Sequence, residues 1–375
     1  MMQRATPKIP LRQDPPLQIT LFETDDDGRY SNTIDLYDLA PRFVFYTESR
    51  KEGSYLKSIR RQFEHGGLPY SLLLRPGRIV RSDGTEREQF PGEREQIVEA
   101  VIHRLATDRG KLTVNNEKVR LTFTMYEIRE ELRKVRHLFA IEEIKDALTI
   151  LHTAVVEITR VDKKSTQVMS SSSFPVLALR RREDEDRAYL EFNPLVEGAI
   201  KDLRYRHMNY EWLMRISHPL SRWLYKRLCQ TFGNVTGIGP AIVPTASMTA
   251  MEIARDGGVA PRSRPRDTLR NVGNAVDILV KQGIIEQVEG EVIREGRKNV
   301  DILFDFVPTA TFLEEIRRSD RLYRDAHRRM TEAGGERPDR FVRVDRGITA
   351  RVRAERRQLA LLSDDSKAAV AATGG

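Results

Sequence analysis

The chain has 375 residues, 39% of them hydrophobic and 31% charged, and a formal net charge of +8. That length supports two or three domains with cores of their own, and the charge favours a polyanionic partner, nucleic acid or an acidic membrane surface. No run approaches the roughly 18–20 apolar residues of a membrane span. The proline-broken start MMQRATPKIPLRQDPP lacks a signal-peptide core, and the single cysteine, Cys229, excludes an intramolecular disulfide and a multi-cysteine zinc site. A cytoplasmic protein is expected.

Residues 1–64 are rich in Pro, Asp, Ser and Arg and show little periodicity, so a flexible arm is predicted. Order should begin near Leu68–Leu74, a candidate strand opening a first domain over 65–203. There Ile97, Val98, Val101, Ile102 and Leu105 recur at helical spacing, followed by the β-prone runs LTV and VRLTF. In Thr124-Met125-Tyr126-Glu127-Ile128 the threonine can cap a helix and Glu127 can return the hydrogen bond, a capping box. A basic turn with Arg133, Lys134, Arg136 and His137 leads to a helix carrying Ile141, Ile144, Leu148 and Leu151. A hairpin pairing AVVEITR with FPVLALR should follow.

A second domain, 204–310, repeats the plan. Leu220, Trp223, Leu224 and Leu228 mark a helix, Thr249-Ala250-Met251-Glu252-Ile253 repeats the T-x-x-E-I box, and Leu269, Val272, Val276 and Leu279 mark the next helix. A hairpin should then pair IIEQVEG with NVDILFDFV around REGRK. The shared order of box, helix and strand exit points to an internal duplication. Helix-turn-helix followed by a hairpin is the winged-helix plan. The expected fold is α+β: two tandem winged-helix domains with a flexible N-terminal arm and a basic C-terminal extension over 311–375, helical at first and ending in an Ala/Gly tail.

A helix-turn-helix presents the exposed face of its second helix to the major groove. In the second domain that face offers Arg266, Arg270, Asn271 and Asn274 as base-contact candidates, since Arg suits guanine and Asn suits adenine. Phosphate-contact candidates are Arg262 and Arg264 in the turn, Lys281, and Arg294, Arg297 and Lys298 in the wing. The matching helix of the first domain shows Glu142, Glu143 and Asp146 around Lys145, which phosphates would repel. Its basic elements are the turn and a hairpin tip with Arg160, Lys163 and Lys164, suited to backbone contact, and protein contact is its expected main task.

No G-x-x-x-x-G-K-[ST] loop, His-x-His pair, H-E-x-x-H or G-x-S-x-G is present, so neither an enzymatic site nor a cofactor or metal is expected. The order of elements resembles the plasmid replication initiators of the TrfA type. TFTMYEI with ALTIL resembles the family's first winged helix, HPLSRWLYKRL the helix opening the second, and Ser247–Val288 the second helix-turn-helix. Gln18-Ile19-Thr20-Leu21-Phe22 resembles the family's Q-L-x-L-F sliding-clamp motif, with Ile19 in place of Leu. Leu21 and Phe22 would fill an apolar pocket of the clamp, or else fold back on the first domain as a staple. The resemblance implies repeated origin DNA (iterons), the host sliding clamp and the replicative helicase or its loader as partners, and a homodimer through the first domain. A transcriptional repressor or partition-type protein of the same fold is the competing reading, and the QITLF arm is what separates the two. A primase-like or relaxase-like enzyme would need metal ligands that the sequence lacks.

Overall fold

Thr249 and Glu252 close a reciprocal cap: Thr249 Oγ1 accepts from the Glu252 N–H at 3.2 Å, and the Glu252 carboxylate accepts from the Thr249 N–H at 2.8 Å. The cap starts helix Ala250–Asp256, which follows helix Pro219–Gly233 and strand Ala246–Thr249. Helix Pro265–Lys281 comes next, its Leu269, Val272, Val276 and Leu279 all buried as their spacing predicts. The wing is the hairpin Glu291–Glu295 with Lys298–Phe306, and its two-residue turn has Gly296 at φ +60°, the positive φ that type II′ requires at its first position. Lys298–Phe306 lies between Ala246–Thr249 and Glu291–Glu295 in a three-stranded antiparallel sheet. This unit is a winged helix. One expectation changes: among the described residues of IIEQVEG only Ile285 makes a β-bridge, to Pro308, because Ile284 and Ile285 plug the core and the wing begins later.

The computed structural model describes residues 16–24, 29–46, 55–80, 84–115, 118–161, 166–179, 187–233, 244–260, 264–288 and 290–333. In the first unit, helix Glu93–Leu105, strands Leu112–Asn115 and Lys118–Thr124, helix Met125–Lys134 and helix Ile141–Thr153 follow in turn. Thr124 and Glu127 form the same reciprocal cap. Lys118–Thr124 pairs with Arg187–Glu191, which pairs with Val176–Leu179. That strand order repeats the second unit's, so the wing of the first unit lies between Val176 and Glu191.

The hairpin after helix Ile141–Thr153 therefore departs from expectation. Val155–Val161 pairs with Thr166–Ser171 instead of FPVLALR, and on its other side with Leu68–Arg75, giving a four-stranded sheet with Ile59–His65 at the far edge. The reason is packing. Leu72 opposes Ile158 and Leu74 opposes Val156, and these side chains join Phe63, Tyr70 and Phe90 in a satellite core. Phe174, fully buried, fixes the chain where it crosses into the wing sheet.

The N-terminal segment also differs from the predicted flexible arm. Tyr30–Ile34 pairs with Tyr205–Asn209, and every residue of both strands is buried. Helix Ala310–Glu332, capped by Thr309, covers this ribbon: Ser319 Oγ donates to the His207 carbonyl at 2.6 Å and the Tyr30 hydroxyl donates to Glu315 at 2.7 Å. Phe312 packs against Trp212, Tyr225 and Phe232. The start of the basic extension, through Glu332, is thus helical and built into the fold, while residues 334–375 lie outside the described residues. One continuous cluster of buried side chains runs from Ile19 to Ala326. Among the described residues no helix is long and apolar enough to cross a membrane.

Candidate nucleic-acid interface

Helix Pro265–Lys281 starts with Pro at its first position, which needs no N–H there, and buries one face on helix Pro219–Gly233, where Ser221 Oγ donates to the Ala275 carbonyl at 2.9 Å. The opposite face is a stripe at helical spacing: Arg266, Arg270, Asn274, Asp277 and Lys281 are all exposed. Arg270 leaves 71% of its side chain exposed and is held only by Asp267 at 3.4 Å, a contact that a base edge can displace. Asn271 stands apart from this stripe. It is half-buried on the helix flank, whereas the stripe is exposed.

Arg264 is exposed at the N-cap, while Arg262 lies outside the described residues. Arg294, Arg297 and Lys298 are exposed around the wing turn. Exposed cations thus stand at the start of the helix and around the wing turn. Lys281 lies about 22 Å along the helix from Arg266 at 1.5 Å per residue. With the exposed Asp277 between them, Lys281 suits a separate phosphate better than the same groove.

Helix Ile141–Thr153 of the first unit offers the opposite chemistry. Glu142 and Glu143 are exposed near its start, with Lys145 paired to Glu142 at 2.8 Å and Glu143 accepting from the Ala140 N–H. Its other end is covered by strand Gly77–Val80, where the Arg78 N–H donates to Thr153 Oγ1 at 3.0 Å. A Cβ on Gly77 would lie 2.8 Å from Thr153 Oγ1 and 2.9 Å from the Ile150 carbonyl oxygen, so only glycine permits this approach. Acidic at one end and covered at the other, this helix is poorly suited to a groove. Lys163 and Lys164, expected at the first wing tip, lie outside the described residues; the strands on either side belong to the four-stranded sheet, not to the wing.

Gln18, Ile19, Thr20, Leu21 and Phe22 form most of the helix Leu17–Phe22, and Ile19, Leu21 and Phe22 are 1%, 5% and 1% exposed. Phe22 meets Tyr205 edge-on at 4.8 Å, and its carbonyl accepts from Asn32 at 3.0 Å. The extended, accessible strip expected for clamp docking is therefore replaced by the staple. The core that receives these residues, around Tyr205, is distant in sequence.

What sequence reasoning missed is the charged seam that the N-terminal segment makes between the units. Arg42 pairs with Glu99 at 2.9 Å with both side chains buried, and the Tyr37 hydroxyl donates to Glu99 at 2.6 Å. Lys226 of the second unit reaches Asp38 at 2.5 Å. Burial alone would raise the Glu99 carboxyl, but the Arg42 guanidinium beside it outweighs this and holds it at about 2. The same contest, with Lys226 as the cation, holds Asp38 below its ordinary value. Nothing in the spacing of these charges marks them as partners. Their one sequence signal is Glu99 within the apolar repeat of helix Glu93–Leu105.

No protein-family profile matches the chain, and no curated protein matches it. Similar solved structures include domains 2 and 3 of RctB, with TM-score 0.45 and 9% identity over 73% of this chain and 96% of that one. Another is the Pi initiator protein in complex with iteron DNA, with TM-score 0.40 and 14% identity over 58% and 91%. These likenesses are too distant to bear on activity, which has to be argued from the residues of this chain.

Proposed function

We propose that the protein binds duplex DNA sequence-specifically through its second winged helix and acts at repeated origin sequences as a replication initiator. The observation that carries the DNA reading is the exposed stripe Arg266, Arg270 and Asn274 on a helix-turn-helix flanked by the basic wing. Arg270→Ala is expected to cost about 1–3 kcal/mol on cognate DNA and much less on random DNA, as loss of a bidentate base contact does. Lys298→Ala is expected to weaken both alike and to reduce the salt slope by about one. Titration of labelled duplexes at several salt concentrations checks both. Unchanged cognate affinity for Arg270→Ala would remove the helix as the reader.

The initiator part rests on the resemblance of the motif order. With Gln18–Phe22 packed into the core, the feature that separated an initiator from a repressor of the same fold no longer does so. Footprinting separates them: an initiator protects tandem direct repeats of about 17–22 base pairs, on the order of two helical turns, and a repressor protects inverted half-sites. Recruitment of a sliding clamp through Gln18–Phe22 would require this helix to leave the fold. Recruitment of a replicative helicase or its loader remains an implication of the initiator reading.

A homodimer is the further partner in this proposal, and an edge strand supports it. Thr166–Ser171 is the outer strand of its sheet, carries neither charge nor proline, and leaves Val168 59% exposed. Such an edge presents unpaired backbone groups to another strand. Val168→Lys is expected to shift sedimentation of the full chain to monomer without lowering its melting temperature. A dimer that persists in this variant would place the contact elsewhere.

A further inference from the structure

Glycine weakens a helix interior, because it gives up more backbone freedom on folding than any other residue and is the poorest helix former after proline. Helix Pro265–Lys281 nevertheless carries Gly273 in its middle. Other glycines of this unit have their reason within the protein. A Cβ on Gly257 would collide with Leu220 and one on Gly290 with Ile302, while Gly258, Gly283 and Gly296 stand at positive φ. Gly273 has neither reason. Its backbone is helical, and a Cβ built on it meets nothing within 4 Å among the described residues.

Its place on the helix says where the reason lies. Gly273 follows Arg266 by two turns and Arg270 by one, and it precedes Asp277 by one, so it shares the side of the exposed stripe. Val272 and Ala275 beside it turn inward and are buried. The stripe therefore has a notch between its long side chains, and nothing in the fold fills it.

We propose that Gly273 is the point where this helix comes closest to the base-pair edges of the major groove, so that its missing side chain sets how deep the helix sits. The inference rests on the DNA reading above. A helix with its side chains is about 10–12 Å across and the major groove is about 12 Å wide, which leaves little room. Without a Cβ at this position the backbone settles nearer the groove floor. Arg266, Arg270 and Asn274 around it then reach the base edges at hydrogen-bond distance. A methyl group at position 273 would hold all three back together. Contacts to phosphates on the groove walls do not need this depth.

Melting and DNA titration of full-length Gly273→Ala and Gly273→Leu, with Arg270→Ala alongside, test this. The probes are the duplex that the wild-type chain enriches from a randomised pool and a random duplex of equal length. Gly273→Ala is expected to raise the melting temperature of the free protein by about 2 °C, because alanine is the better helix former and meets no obstacle. It is nonetheless expected to weaken the enriched duplex about tenfold, and Gly273→Leu further, with the random duplex nearly unchanged. If Arg270→Ala weakens the enriched duplex and both Gly273 variants bind it as the wild type does, the notch falls and the reading helix stands. If Arg270→Ala has no effect, or no duplex is enriched, the DNA reading falls and this inference with it. A lower melting temperature for Gly273→Ala would overturn the proposal by placing the need for glycine in the fold. Equal weakening on both duplexes would overturn it too, since the contact would then be with the DNA backbone.

Discussion

Phe22→Ala is expected to lower the unfolding free energy by about 3–5 kcal/mol, the range for deleting a fully buried aromatic side chain. Phe22 is 1% exposed, packs edge-on against Tyr205, and lies in the main core with Ile19 and Leu21. Its carbonyl also fixes Asn32, so the change loosens the entry to strand Tyr30–Ile34. Urea unfolding at neutral pH measures the effect. A free clamp-docking strip would instead give an unchanged midpoint, and that outcome would return Gln18–Phe22 to the role expected from sequence.

The second large effect is expected at the Arg42–Glu99 pair. Glu99→Ala leaves a buried guanidinium without its carboxylate, which costs about 3–5 kcal/mol when a buried pair is broken. Replacing both, as Arg42→Met with Glu99→Leu, should cost less than Glu99→Ala alone, because no buried charge is left unpaired. The pair also sets an acid limit. The Glu99 carboxyl lies at about 2 in the folded protein against an ordinary 4.5, so the unfolded chain binds the proton more readily. The stabilisation from this group, on the order of 3 kcal/mol, is complete above the unfolded value and is lost as pH falls from about 4.5 through about 2. Unfolding titrations of the wild type and the double variant across that window measure it. An equal acid dependence in the two would put the pH sensitivity elsewhere.

The sequence made the local features legible. The two T-x-x-E boxes became reciprocal caps, and the apolar residues of helix Pro265–Lys281 point inward, because capping and helical periodicity depend on residues a few positions apart. Strand partners are a different matter. Val155–Val161 and Val176–Leu179 are both β-prone, and no local signal says that the first joins Leu68–Arg75 while the second joins Arg187–Glu191. The N-terminal strand was hidden for a related reason. Ser31, Asn32 and Thr33 read as surface residues, yet pairing with Tyr205–Asn209 and the cover of helix Ala310–Glu332 bury all three. The candidate site divides in the same way. Arg266, Arg270 and Asn274 followed from the period of the helix, whereas the half-burial of Asn271 depends on elements distant in sequence that pack beside its flank.

If the second winged helix reads bases, it should select one sequence when bound duplexes are recovered from a randomised pool. The wild-type chain is expected to enrich one defined motif. Arg270→Ala should enrich a motif degenerate at a guanine position, and Asn274→Ala one degenerate at an adenine position, since each loses its own bidentate contact. Enrichment of the same motif by the wild type and both variants, or of no motif by the wild type, would mean that this helix does not read bases.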